Sequence, residues 1–141
     1  MLNLTIGADV IKPSTVVCDL GVFIDAELTI QQHVSKLTSS CSFQLRRLRE
    51  VRKYVNLLKQ LVHTFIISRL EYCNYILTGL PKCLILQLQR VQNAAARLIL
   101  GLRPRDPVKP ALQLHWLPVY YRIQCKLCLL MYSASHQRCP A

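Results

Sequence analysis

Acidic side chains are scarce in this chain of 141 residues: seven Asp and Glu stand against eighteen Lys and Arg, for a formal charge of +11. That scarcity works against two-metal nucleotidyl transfer, which needs several carboxylates converging on ions about 4 Å apart. Glycine is sparse too, with four isolated residues, so no Gly-rich loop exists to cradle a phosphate. No uncharged apolar run reaches the roughly 18 residues of a membrane span. The opening "MLNLTIGADV" also lacks the basic start and apolar centre of a signal peptide. These absences read as a soluble, intracellular chain of cytoplasm or nucleus with no membrane partner.

Hydrophobic residues make up 52% of the chain, enough to build a real core in one domain of this length. The N-terminal part offers short β-favouring runs, "LNLTI", "STVVCDL" and "GVFI", separated by Gly7, the Lys12–Ser14 turn and Gly21, and two or three short strands are expected. Near Leu28 the apolar positions switch to helical spacing. Thr29 followed three residues later by Gln32 is a capping-box pattern, which places a helix start there. Ile30, Val34, Leu37, Cys41, Leu45 and Leu48 then form one apolar stripe, with Lys36, Arg46, Arg47 and Lys53 opposite it around Phe43.

A second helix is expected from Asn56 to about Leu77, apolar on most of its circumference, with Gly79 as its stop. A third runs from Pro81 to Gly101 and places Arg90 and Arg97 on one face. "RPRDPVKP" breaks helical structure, and Pro118 opens a last helix. The fold class expected is mainly α (α+β): an N-terminal hairpin followed by a bundle of about four helices. The parts are 1–28 as β-element, 29–102 as bundle and 103–141 as a connection ending in a helix. The final "QRCPA" reads as a fragment end.

Few side chains are arranged for chemistry. Asp25 and Glu27 could project from one side of an extended segment, but no third acid accompanies them, and acids before a helix favour its dipole. Cys125, Cys128, His136 and Cys139 have the spacing of a zinc-ligand set. Cys125 and Cys128 nonetheless fall at i and i+3 of an apolar helix, where a reduced thiol serves as a small hydrophobe. Seven cysteines are an odd number without the density of a secreted scaffold, so disulfides are not expected. His33, His63, His115 and His136 lie in four separate segments with no nucleophile signature. No catalytic residue, metal site or cofactor follows from these patterns.

The basic load remains. Lys and Arg give salt-sensitive, sequence-independent phosphate binding, and an interleaved Phe43 or Tyr54 could stack on a base. Lys36, Arg46, Arg47, Lys53, Arg90 and Arg97 are the candidate nucleic-acid-binding residues. The bland alternative for the Arg46–Lys53 cluster is an ordinary solvated helix face.

Four stretches in order, "DLGVFIDAELTIQQHVSKL", "LVHTFIISRLEYCNYILTGLP", "LQRVQNAAARLILG" and "LHWLPVYYRIQCKLCLL", give the chain a family likeness. From about Thr15 to His136 it resembles the C-terminal part of the reverse transcriptase of non-LTR (LINE-type, jockey-like) retrotransposons. The resemblance implies that Leu20, Gly21, Val22 and Asp25 close a polymerase palm. It implies equally that the helices carrying Ser68, Arg69, Tyr72, Asn93, Arg97, Trp116 and Arg122 belong to a thumb and its connection, which grip a template–primer duplex by shape and phosphate. The family's Ala-Asp-Asp strand, its earlier metal-binding Asp, its fingers and its endonuclease would lie upstream, so no polymerase active site is expected from this sequence. Its partner would be an RNA–DNA duplex, bound without sequence preference. Two other readings stand beside this one. The chain is a helical protein-interaction module, self-associating through exposed apolar surface, or a translated retrotransposon remnant with no function.

Overall fold

Two short antiparallel hairpins open the chain and helices form the rest. The computed structural model describes residues 4–7, 9–12 and 14–136. Leu2 and Asn3 of the first expected strand, Pro13 of the expected turn and Cys139 lie outside the described residues. Strand β1 (Leu4–Ile6) pairs with β2 (Asp9–Ile11). Strand β3 (Val16–Asp19) pairs with β4 (Val22–Asp25), Asp19 opposite Val22. Four strands thus replace the two or three expected. Leu20 and Gly21 turn the second hairpin with φ of 46° and 81°, the positive values that a two-residue type I′ turn demands. Glycine adopts them freely and leucine does not. The Leu20 carbonyl is held in place by the Tyr72 hydroxyl, which donates to it at 2.8 Å.

Helix α1 (Gln31–Leu48) follows. Val34, Cys41, Leu45 and Leu48 are buried and Leu37 half-buried, so the apolar stripe faces the core as the spacing implied. The capping box does not form. Asp25, at the end of β4, takes the Thr29 backbone N–H at 2.7 Å and its hydroxyl as well. Gln31 N–H reaches the Thr29 oxygen at 3.4 Å, and Ile30, in a left-handed conformation, occupies the cap position without a side-chain bond. The Thr29 N–H that the Gln32 side chain would have accepted goes to a carboxylate four residues upstream.

The single helix expected over 56–77 is three pieces. An α-helix, α2 (Val55–Val62), widens into a π turn (His63–Ile67) and resumes as α3 (Ser68–Glu71). Thr64 donates to the Gln60 carbonyl at 2.9 Å, and Ser68 donates to that of Thr64. Such back-bonding competes with the backbone ladder and bends helices. Tyr72 is extended and Cys73 left-handed, which ends α3 before a 3₁₀ turn at Asn74–Leu77. Leu58, Val62, Ile66 and Ile67 along this broken rod are at most 1% exposed. Each such side chain contributes about 1.5–3 kcal/mol by leaving water.

Helix α4 (Lys82–Leu100) packs chiefly along α1. Pro81 stands at its N-cap, one position earlier than expected, and Gly101 closes it with φ 72°. A single turn, α5 (Pro110–Gln113), precedes α6 (Val119–Ser135). The architecture is mainly α, and among the described residues β-structure is confined to the N-terminal hairpins. The core lies where α1, α2, the π turn and α4 meet, and Val119 and Ile123 add the first turns of α6 to it.

Candidate nucleic-acid interface

The C-terminal halves of α1 and α4 lie side by side, and between them opens a cleft of about 490 Å³ whose wall includes Arg46, Arg49, Arg52 and Arg97. On α1, Ser42, Leu45, Arg46 and Arg49 recur at i, i+3, i+4 and i+7, which puts them on one stripe. Ala94 and Arg97 form the facing stripe of α4. Two of the arginines are anchored. Arg52 donates to the Gly101 carbonyl at 2.6 Å, meeting the negative end of α4. Arg97 Nε donates to the Asp106 carbonyl at 2.9 Å. Each guanidinium carries five N–H donors, so most remain directed elsewhere. Among the described residues, no carboxylate lines this cleft. Among the described residues the only ion pair is Arg122 with Glu71, between α6 and α3.

The six sequence candidates do not form one surface. Arg46 and Arg97 meet in the cleft, and Arg90, exposed, continues the Arg97 stripe about 10 Å further along α4. Arg47 lies on another side of α1, its guanidinium 5.8 Å from the Phe43 ring centre. Lys36 sits near the N-terminal end of α1, with Nζ 3.5 Å above the Phe23 ring centre. Lys53 is exposed in the turn after α1. The basic face drawn opposite the apolar stripe is therefore split by the packing of β4 on one end of α1 and of α4 on the other. Arg49 and Arg52, part of the basic run from Arg46 to Lys53 but outside the six candidates, complete the cleft wall. The three-residue spacing from Arg46 could have found Arg49, whereas Arg52 reaches the cleft only because the chain turns back after α1.

Polar joints tie the helices to one another and to the second hairpin. Tyr72 links the third helical piece to the β3–β4 turn. Gln89 Oε1 accepts the Val119 N–H at 2.9 Å, capping α6 behind Pro118. Gln92, 1% exposed, donates to the Leu117 carbonyl at 2.9 Å and accepts from Gln89 at 2.8 Å. Arg122 Nε donates to the same Leu117 carbonyl at 2.9 Å.

The cysteines are placed otherwise than expected. Among the described residues only Cys41 is buried and Cys73 half-buried, while Cys18, Cys83, Cys125 and Cys128 are exposed. Burial pushes the Cys41 thiol up to about 11, which keeps it protonated and inert at neutral pH. Cys125 and Cys128 are exposed because the second half of α6 runs past the core, leaving Leu129, Leu130, Met131 and Tyr132 half or more exposed. Among the described residues, Cys125, Cys128 and His136 do not gather into a group able to hold a metal. No described helix is long and apolar enough to cross a membrane.

The chain was compared with protein-family models, with curated proteins and with solved structures, and nothing matches in any of the three.

Proposed function

We propose that this chain is a palm-to-thumb segment of the non-LTR retrotransposon reverse transcriptase type, and that it holds a template–primer duplex by its phosphates in the arginine cleft. Its role is to bind rather than to catalyse. The observation that carries this reading is the convergence of Arg46, Arg49, Arg52 and Arg97 on one cleft with no carboxylate in its wall. A concavity lined by one sign of charge concentrates the opposite charge. The fork of a guanidinium also matches two phosphate oxygens at once. Arg52 and Arg97 are fixed by backbone carbonyls, which lowers the entropy lost when they engage a ligand. Arg46 and Arg49 are the pair whose removal leaves these anchors intact. In equilibrium binding to an RNA–DNA hybrid at low salt, Arg46→Ala with Arg49→Ala is expected to weaken affinity at least about tenfold. Unchanged affinity in that variant refutes the grip.

A second reading is favoured by α6. Leu129 and Met131 are 57% and 64% exposed, an apolar density that marks contact surfaces when contiguous. Self-association through this helix predicts an oligomer in sedimentation equilibrium that is insensitive to salt and is dissolved by Leu129→Lys with Met131→Lys. A monomer at all concentrations removes this reading.

A further inference from the structure

A second concavity, of about 550 Å³, lies between the β3–β4 hairpin and the facing sides of α1 and α3, and it shares no lining residue with the arginine cleft. Phe23 of β4 and Tyr72 supply aromatic walls, His33, Lys36 and Ser40 come from α1, and Arg69 comes from α3. Lys36 Nζ is 3.5 Å above the Phe23 ring centre, a cation–π contact that fixes the ammonium at the rim. Arg69 is fixed as well, donating from Nη1 to Ser40 Oγ at 2.6 Å. Neither cation pairs with a carboxylate among the described residues. His33, 6% exposed, has a ring nitrogen, Nδ1, with no hydrogen-bond partner, in a place where buried polar atoms are nearly always paired.

Two positioned cations facing one concavity draw an anion, and the geometry of Arg favours a phosphate over a point charge. The volume exceeds what a bare phosphate fills and lies in the range of small organic ligands. Lys36 already covers a face of Phe23, so Tyr72, 52% exposed, offers the planar apolar surface to a ligand ring. We propose that this pocket binds an organic phosphate bearing a planar ring, a nucleoside monophosphate in class, with its phosphoryl oxygens between Lys36 and Arg69 and its ring against Tyr72. The site is separate from the arginine cleft, and its existence does not depend on duplex binding there.

Calorimetric titration of the full chain with AMP, adenosine and inorganic phosphate tests it. AMP is expected to bind at least about tenfold more tightly than either of its parts, and Lys36→Gln and Arg69→Gln each to weaken AMP by a similar factor. Lys36 donates no hydrogen bond within the described fold, so Lys36→Gln decides the matter if Arg69→Gln, which disturbs the Ser40 contact, fails to fold. Adenosine binding as tightly as AMP overturns the proposal, as does AMP affinity unchanged by Lys36→Gln. A loss of AMP affinity in the Arg46→Ala/Arg49→Ala chain instead moves the phosphate to the other cleft and also overturns it. Competition identifies the source of the phosphate. Displacement of AMP by a 5′-phosphorylated oligonucleotide, but not by its unphosphorylated form, supports a pocket for strand ends. Displacement by neither supports a pocket for free nucleotides.

Discussion

Asp25 carries more of the hairpin-to-helix junction than its exposed position suggests. Its carboxylate binds both the N–H and the hydroxyl of Thr29. It thereby spans a turn in which Leu28 has φ of 56°, next to Ile30 with the same value, a conformation that bulky or β-branched side chains rarely adopt. The Thr29 hydroxyl holds the Asp25 carboxyl below its ordinary value of 3.8, against the opposing effect of partial desolvation. The folded chain therefore binds fewer protons here than the unfolded chain. The stabilisation from this bond is complete above 3.8 and is lost as pH falls through the lowered value. Asp25→Asn should flatten the acid side of the stability curve, measured by denaturant melts between about pH 5 and pH 2. Superimposable acid limbs for the two chains would show that the junction does not depend on this carboxylate. The sequence marked Asp25 as a residue of the helix approach and missed its partner. Reading Thr29 against Gln32 alone overlooks the stronger acceptor behind it, because a charged carboxylate outcompetes a neutral amide oxygen for the Thr29 N–H.

The long helices were legible as elements because their signals are local. Pro81 and Gly101 bracket α4, Pro118 starts α6, and the apolar stripe of α1 needs only 3.6-residue periodicity. The break in the middle rod was not legible. Thr64 and Ser68 sit in an otherwise helical pattern, and their choice between solvent and the carbonyl four residues back depends on the packing around them. The joints between elements were equally hidden, since Gln89 and Gln92 look like polar filler in a helix until Pro118 is folded against them. Gln92 is buried and uses both ends of its amide. Gln92→Ala should cost about 1–3 kcal/mol for two lost hydrogen bonds, the Leu117 carbonyl keeping Arg122 and Gln89 keeping Asn93, read as a lowered midpoint in chemical denaturation. A change below about 0.5 kcal/mol, the range of ordinary surface substitutions, would mean that α6 docks by apolar contact alone.

Across the whole molecule, positive charge far exceeds what the described fold pairs. Eighteen basic residues and seven acids yield one ion pair among the described residues, so most of the positive charge is left facing outward. The excess was visible in composition, but its distribution was not. Helical phase alone placed Arg46 and Arg47 on one face, whereas packing sends the first into the cleft and the second towards Phe43. Sequence likewise predicted an apolar last helix without showing that half of it would run past the core. The arginine cleft is the feature on which nucleic-acid binding stands or falls, and its electrostatic origin gives it a quantitative signature. Each phosphate neutralised releases condensed counterions, so log K falls with log salt at a slope of about −0.9 per contact on duplex DNA. The decisive measurement is the affinity for an RNA–DNA hybrid across a salt series, for the native chain and for Arg46→Ala/Arg49→Ala. A duplex grip predicts a steep slope in the native chain and one shallower by about 1.8 in the variant, two contacts' worth on that scale. A flat salt dependence, or the same slope in both chains, contradicts it.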